Sequence, residues 1–226
     1  MSNIEKLKNL NDLNRGIYKR WIWGDKDSFY RGNDYLQKIN YSIQDLNREI
    51  QNLSQPTMKE VIYIIVLVDW IYEAADAILK ILQKKLGKNF EYPEESSLSQ
   101  AKKYLRAIRS FVVAHPLNTN RHKEYGFDGD FICVDVRHKT SLLMKADVMA
   151  KDWYHLSIDG MQENGIDIAS DFVLYAYSEL IDGNQFYKII GANFSDLYYA
   201  ARLQIENLYE LDRRLSKLKK KEWVKR

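Results

Sequence analysis

Hydrophobic positions follow a helical period through the first half of the chain, change to short β-type runs after residue 115, and return to the helical period from about residue 193. Ile4, Leu7, Leu10 and Leu13 predict a short amphipathic opening helix. An aromatic loop follows, with Trp21, Trp23, Phe29 and Tyr30 beside the turn residues Gly24 and Gly32. The tryptophans suit plugs in the core or in a dimer seam. Leu36, Ile39, Ile43, Leu46 and Ile50 predict a second helix over about 33–53, stopping before Pro56. Thr57-Met58-Lys59-Glu60 has the form of a capping box, in which a hydroxyl and a carboxylate satisfy each other's free backbone donors, so a third and longest helix is expected from Thr57 to about Leu86. Gly87 is suited to the left-handed turn beyond its end. A fourth helix starts near Ser96 or Ser97, the latter with Gln100 three residues on. It carries Leu98, Tyr104, Leu105, Ile108 and Phe111 to His115, where Pro116 forces a stop.

The runs at 131–136, 153–158 and 172–177 are β-branched and aromatic, and Asp128-Gly129, Asp159-Gly160 and Asp182-Gly183 supply turns. They predict a small antiparallel sheet. Leu197, Ala201, Leu203, Ile205, Leu208, Leu211 and Leu215 then line a final long helix that frays into lysines from Lys217 onward. The expected fold is mainly α. It is an up-and-down bundle of four to five helices with a β-rich insertion at about 125–192 before the last helix, the whole of 1–226 forming a single domain.

Composition narrows the picture. With 226 residues, 46% of them hydrophobic, and three prolines, the chain can bury one sizeable core. A net charge of +3 is too small for non-specific duplex binding, so any nucleic-acid role needs a local patch. The lone Cys133 excludes an internal disulfide, and the N-terminus lacks the apolar segment of a signal peptide; both suit a cytoplasmic protein. The longest apolar run, 61–68, falls well short of the roughly 20 residues that cross a bilayer. No membrane association is expected, and a buried central helix explains the run.

Candidate chemistry concentrates on the fourth helix. Lys102, Arg106 and Arg109 fall at i, i+4 and i+7, one cationic stripe, while Asp69, Glu73 and Asp76 repeat that spacing on the third helix. Counting back from the connection 87–96, antiparallel packing sets Arg109 opposite Glu73 and Arg106 opposite Asp76. This is either a plain interhelical ion-pair seam or a brace, in which Glu73 holds one edge of Arg109 and leaves the other for a phosphate. His115 lies at the negative end of the helix dipole, which suits an ordinary C-cap and equally a general acid or base.

Arg109-Ser110, four residues, then His115 ahead of Pro116, at the end of a bundle helix, resembles the Arg-x5-His signature of the HEPN superfamily. The resemblance covers the helices. It implies a bundle of four or five helices, and a metal-independent endoribonuclease of toxin or antiviral type in which two chains line one cleft with both copies of Arg109 and His115. It also admits a non-catalytic module that binds a protein or nucleic acid through its β-rich insertion. Ser110 stands where many members have asparagine, and the β-rich segment is a second departure. Geometry adds a constraint of its own. Six residues of ideal helix turn through about 240° and rise about 9 Å, so a shared site needs the chain to break at His115, a second copy across a two-fold axis, or both.

In the mechanism this suggests, His115 moves a proton for the 2′-hydroxyl or the leaving oxygen, and Arg109, with Arg106 nearby, stabilises the charge on the pentacoordinate phosphate. Glu73, Arg106 and Ser110 are supporting residues; Lys102, Arg121 and His122 are candidates to extend an RNA groove. No cofactor is expected. His122, His138, His155 and Cys133 lack metal-ligand spacing, so no metal site is expected either. The expected partners are a second copy, RNA, and an antitoxin or regulatory protein. The basic C-terminus suits an exposed helix end or a nucleic-acid track, and Tyr198 and Tyr199 suit the interface between bundle and sheet or base stacking.

Overall fold

Asp25 starts the first long helix: its carboxylate accepts from the Ser28 backbone N–H at 2.7 Å and from the Ser28 hydroxyl at 2.8 Å, filling a donor that every helix start leaves open. The structure, a computed structural model, describes residues 4–54, 56–86, 94–114, 132–138, 152–163, 170–181 and 184–220. Its helices are α1 (Arg20–Trp23), α2 (Lys26–Glu49), α3 (Met58–Leu86), α4 (Glu95–Arg109) and α5 (Phe194–Ser216). Between α4 and α5 lie β1 (Ile132–His138), β2 (Asp152–Ser157), β3 (Gly160–Glu163), β4 (Phe172–Ile181) and β5 (Asn184–Ala192). This is the mainly helical fold with a small sheet before the last helix that the hydrophobic period implies.

Several local expectations differ. The opening segment is a single 3-10 turn, Leu10–Asp12, rather than an amphipathic helix. Asn47 of α2 explains this, since its side chain accepts from the Leu7 N–H at 2.7 Å and donates to the Leu7 carbonyl at 2.9 Å, replacing the bonds a helix would make. Leu7, Leu10 and Leu13 are still buried. The aromatic stretch is not a loop: it is α1 and the first turns of α2, which begins well before residue 33. Gly32 lies inside α2, where a Cβ would fall 2.2 Å from the Trp23 ring, so it supplies close approach and not a turn. Trp23 is a core plug, 1% exposed. Gly32→Ala is expected to lower stability by about 2–3 kcal/mol in urea titration, since the whole ring edge must move; a loss below about 0.5 kcal/mol would refute the fit.

The Thr57 box is half made. The Glu60 carboxylate accepts from the Thr57 N–H at 2.8 Å, and the Thr57 hydroxyl also donates to that carboxylate in place of accepting from a backbone N–H. α4 starts at Glu95 after Glu94, with no side-chain cap, so the Ser97 and Gln100 pair caps nothing. Gly87 lies outside the described residues.

The sheet order is β1-β4-β5-β2-β3. It is mixed, not purely antiparallel as the runs predict: β2 runs parallel to β5, the other pairs being antiparallel. β3 and β5 have no counterpart among the three expected strands, because β3 is only four residues long and β5 carries Lys188 and Gly191 within its apolar run. Gly160 follows the β2–β3 turn at φ 122°, a backbone geometry that side chains disfavour. One continuous core joins bundle and sheet, with Leu156, Phe172, Leu174 and Ile190 packed into the same cluster as the helices. Tyr198 is buried and donates to the Leu46 carbonyl of α2 at 2.5 Å, which braces α5 against α2; Tyr199 is exposed. Among the described residues no helix is long and apolar enough to cross a membrane.

Candidate functional site

α4 buries Ala101, Tyr104, Leu105, Ala107 and Ile108 and contacts both α3 and α5. Its polar edge is left beside the polar edge of α3. Two ion pairs mark their register: Lys102 with Asp76, and Arg109 with Asp69. Arg109 Nη1 donates to Asp69 Oδ1 at 3.3 Å, and its Nε is 3.2 Å from Oδ2. Glu73 is a looser neighbour, 3.9 Å from Nη1. The expected contact of Arg109 with Glu73 is present but loose, its closer partner Asp69 lying one helical turn away, and Arg106 does not pair with Asp76, which Lys102 takes. Counting from the connection assumes that both helices end at its middle, whereas the burial of Tyr104, Leu105 and Ile108 decides where α4 comes to rest. Asp69, absent from the expected site, is the principal partner; its place in the acidic stripe was legible, its register was not.

Exposure grades the group. The Arg109 side chain is 42% exposed, that of Asp69 14% and that of Glu73 72%. Burial raises the Asp69 carboxyl above its ordinary range, opposed by the Arg109 guanidinium and reinforced by the Glu73 charge. Arg109 thus has a braced side and an open one, and its Nη2 has no partner among the described residues. Arg106 is exposed, with no ion pair among the described residues, and the Lys102 ammonium is taken by Asp76.

α4 does not continue as an α-helix to residue 115. At Ser110 it widens into a π-helical turn, Ser110–Ala114, anchored by the buried Phe111 and Val112. Such turns redirect the chain with one extra residue per turn, so ideal α-helical angles do not extend past Arg109. Ser110 is half-buried at the junction, and its N–H donates to the Arg106 and Ala107 carbonyls. β1 packs against α3 and this π turn, which puts a sheet edge beside the end of α4. His115, Arg121 and His122 lie outside the described residues, as do the residues between them.

A second polar group sits where the sheet meets α5. The Ser170 hydroxyl lies 3.4 Å from His155 Nδ1, and half-burial raises the Asp196 carboxyl, the nearby His155 opposing the shift. Ser170 is fully buried. A hydroxyl sealed from solvent cannot meet a substrate, so this cluster ties β2 to the start of α5. Among the described residues no group of three or more His, Cys, Asp or Glu is placed to hold a metal ion. No protein-family model, no characterised protein and no solved structure matches the chain.

Proposed function

We propose that the protein is a metal-independent endoribonuclease of the HEPN type, a homodimer of toxin or antiviral defence character. The observation that carries this reading is the half-exposed Arg109, braced by Asp69 on one side and open on the other, at the last turn of a bundle helix. A guanidinium held in this way keeps its direction while it meets a phosphate, which is what stabilisation of a developing charge requires. In the reaction, the 2′-hydroxyl of one nucleotide attacks the adjacent phosphorus and the bond to the 5′-oxygen of the next nucleotide breaks. His115 takes the hydroxyl proton or delivers one to the leaving oxygen, and Arg109 and Arg106 stabilise the extra phosphate charge. The products are a 2′,3′-cyclic phosphate and a 5′-hydroxyl. Arg121 and His122 are the remaining candidates to bind the RNA, Lys102 being engaged by Asp76, and an antitoxin or regulatory protein controls access.

The purified chain with single-stranded RNA in excess EDTA tests the proposal. Fragments that end in cyclic phosphate are expected; intact RNA across pH and salt would overturn it. A second reading, a non-catalytic module, draws on the Asp69 contact: there Arg109 only ties α4 to α3 and the β-rich insertion binds the partner.

A further inference from the structure

α3 presents to solvent a stripe that no described element covers. Lys59, Ile62, Val66, Trp70, Glu73 and Ala77 advance by threes and fours along it, the spacing of one helix face. Lys59, Trp70 and Glu73 are exposed, and Ile62, Val66 and Ala77 are half-buried, while Ile64, Ile65, Val68 and Ile71 of the same helix are fully buried. α2 forms one bank of the stripe, where Lys38 Nζ lies 3.0 Å from the Trp70 ring centroid and the Tyr63 hydroxyl donates to Asp45 at 2.8 Å. The other bank is α4, held through Asp76 and Asp69. Tyr41, Met58 and Trp70, three of the exposed large apolar side chains among the described residues, lie on α2 and α3. An apolar strip bordered by charges is the composition of an interface and not of a solvated helix face.

We infer that this stripe is where a second copy of the chain docks, α3 against α3 in antiparallel, with the two-fold axis passing at Val66. The charge pattern selects both occupant and register. Lys59 and Glu73 lie equally far from Val66 along the helix, as do Ile62 and Trp70. A two-fold there sets each Lys59 opposite the partner's Glu73 and each Ile62 opposite the partner's Trp70, as a self-complementary patch requires. An axis between Asp69 and Trp70 would instead face Lys59 with the partner's Lys80, and an axis at Glu73 would face two carboxylates. Of these registers only the one at Val66 pairs opposite charges and joins apolar to apolar. It also completes the candidate site, since the partner's Lys59 reaches Glu73, which touches Arg109 only loosely at 3.9 Å. The docked copy thereby adds a cation beside the guanidinium. This last link rests on the nuclease reading; the seam itself does not.

Sedimentation equilibrium of the whole chain over a concentration series tests the seam. A species of twice 26.7 kDa is expected. Lys59→Glu, at an exposed position, should raise the dimer dissociation constant about tenfold or more, and adding Glu73→Lys should restore it to within about threefold of the original. Val66→Cys, with Cys133 replaced by serine, should form a disulfide-linked dimer on mild oxidation, because residues at a two-fold axis meet their own copies. A monomer throughout the series, a double variant that fails to recover, or a dimer that ignores Lys59→Glu and does not cross-link at Val66 would each overturn the inference. A dimer in this register that leaves RNA intact keeps the seam and removes the nuclease. Cleavage by a dimer indifferent to Lys59 does the reverse.

Discussion

Arg109→Ala is expected to lower RNA cleavage about 100- to 1,000-fold, the usual cost of removing one donor aimed at a developing oxyanion, with a much smaller effect on folding. The direct ion pair is half-exposed and screened, worth about 1 kcal/mol or less. Most of the folding loss comes from Asp69, 14% exposed, left without its cation. A poorly solvated carboxylate without a partner costs about 1–3 kcal/mol, and the melting temperature should fall by roughly 2–8 °C.

The deficit has a predictable pH dependence. The folded Asp69 carboxyl already lies above its ordinary range through burial, and Arg109 is the influence that lowers it. Removing Arg109 raises it further. An acid whose folded pKa exceeds its unfolded one destabilises the fold in its ionised state, so the deficit is full above the folded pKa and fades as pH falls through it. Thermal melts should therefore separate Arg109→Ala from the wild type more at mildly alkaline than at mildly acidic pH. Adding Asp69→Asn should recover the melting temperature and leave cleavage at the lowered level of Arg109→Ala. Undiminished cleavage by Arg109→Ala would remove that residue from the reaction, and a recovery of cleavage with Asp69→Asn would make its role one of packing.

Gly16→Ala is expected to cost more stability than Gly32→Ala, about 3 kcal/mol or more in urea titration. A Cβ there would stand 2.3 Å from the Asp212 carbonyl oxygen and 2.4 Å from the Ser216 nitrogen, both backbone atoms of α5 that cannot turn aside. Moving the segment away breaks a set of contacts that depend on its approach. The Ile17 N–H donates to Asp212 Oδ1 at 2.6 Å, the Trp23 indole N–H donates to the Ile17 carbonyl at 2.7 Å, and Lys19 Nζ donates to the Ser216 carbonyl at 2.7 Å at the negative end of α5. Asp212 is fully buried and its Oδ2 has no hydrogen-bond partner among the described residues, so losing Ile17 would strand the whole carboxylate. Asn14→Ala, at an exposed position nearby, should change stability by less than about 0.5 kcal/mol. A Gly16→Ala protein within about 1 kcal/mol of the wild type would show that the segment docks in some other way.

Much of the fold was legible because burial imposes a period on each element. Leu36, Ile39, Ile43 and Leu46 of α2, and Leu197, Ala201, Leu208 and Leu215 of α5, mark core-facing sides that any packing of these helices must bury. The carboxylate half of the Thr57 cap needed only residues three apart in one turn. The candidate cations were legible too, since i, i+4 and i+7 share a face in any helix. The sequence by itself thus determined the four long helices in the main, which of their faces turn inward, and that Arg109 and the acidic stripe of α3 lie on polar edges.

Relations between distant segments were decided only when the elements packed. Gly32 reads as a turn residue until the Trp23 ring is seen against it, and Leu7 to Leu13 read as a helix until Asn47 claims their backbone. The parallel pairing of β2 with β5 joins strands far apart in the chain, which local alternation cannot encode. The choice of Asp69 over Glu73 as the partner of Arg109 is a shift of one turn between two helices. Either choice satisfies the charge pattern, and only the fit of Tyr104, Leu105 and Ile108 into the core tells them apart, because a side-chain period defines a face but carries no information on how far one helix slides along another.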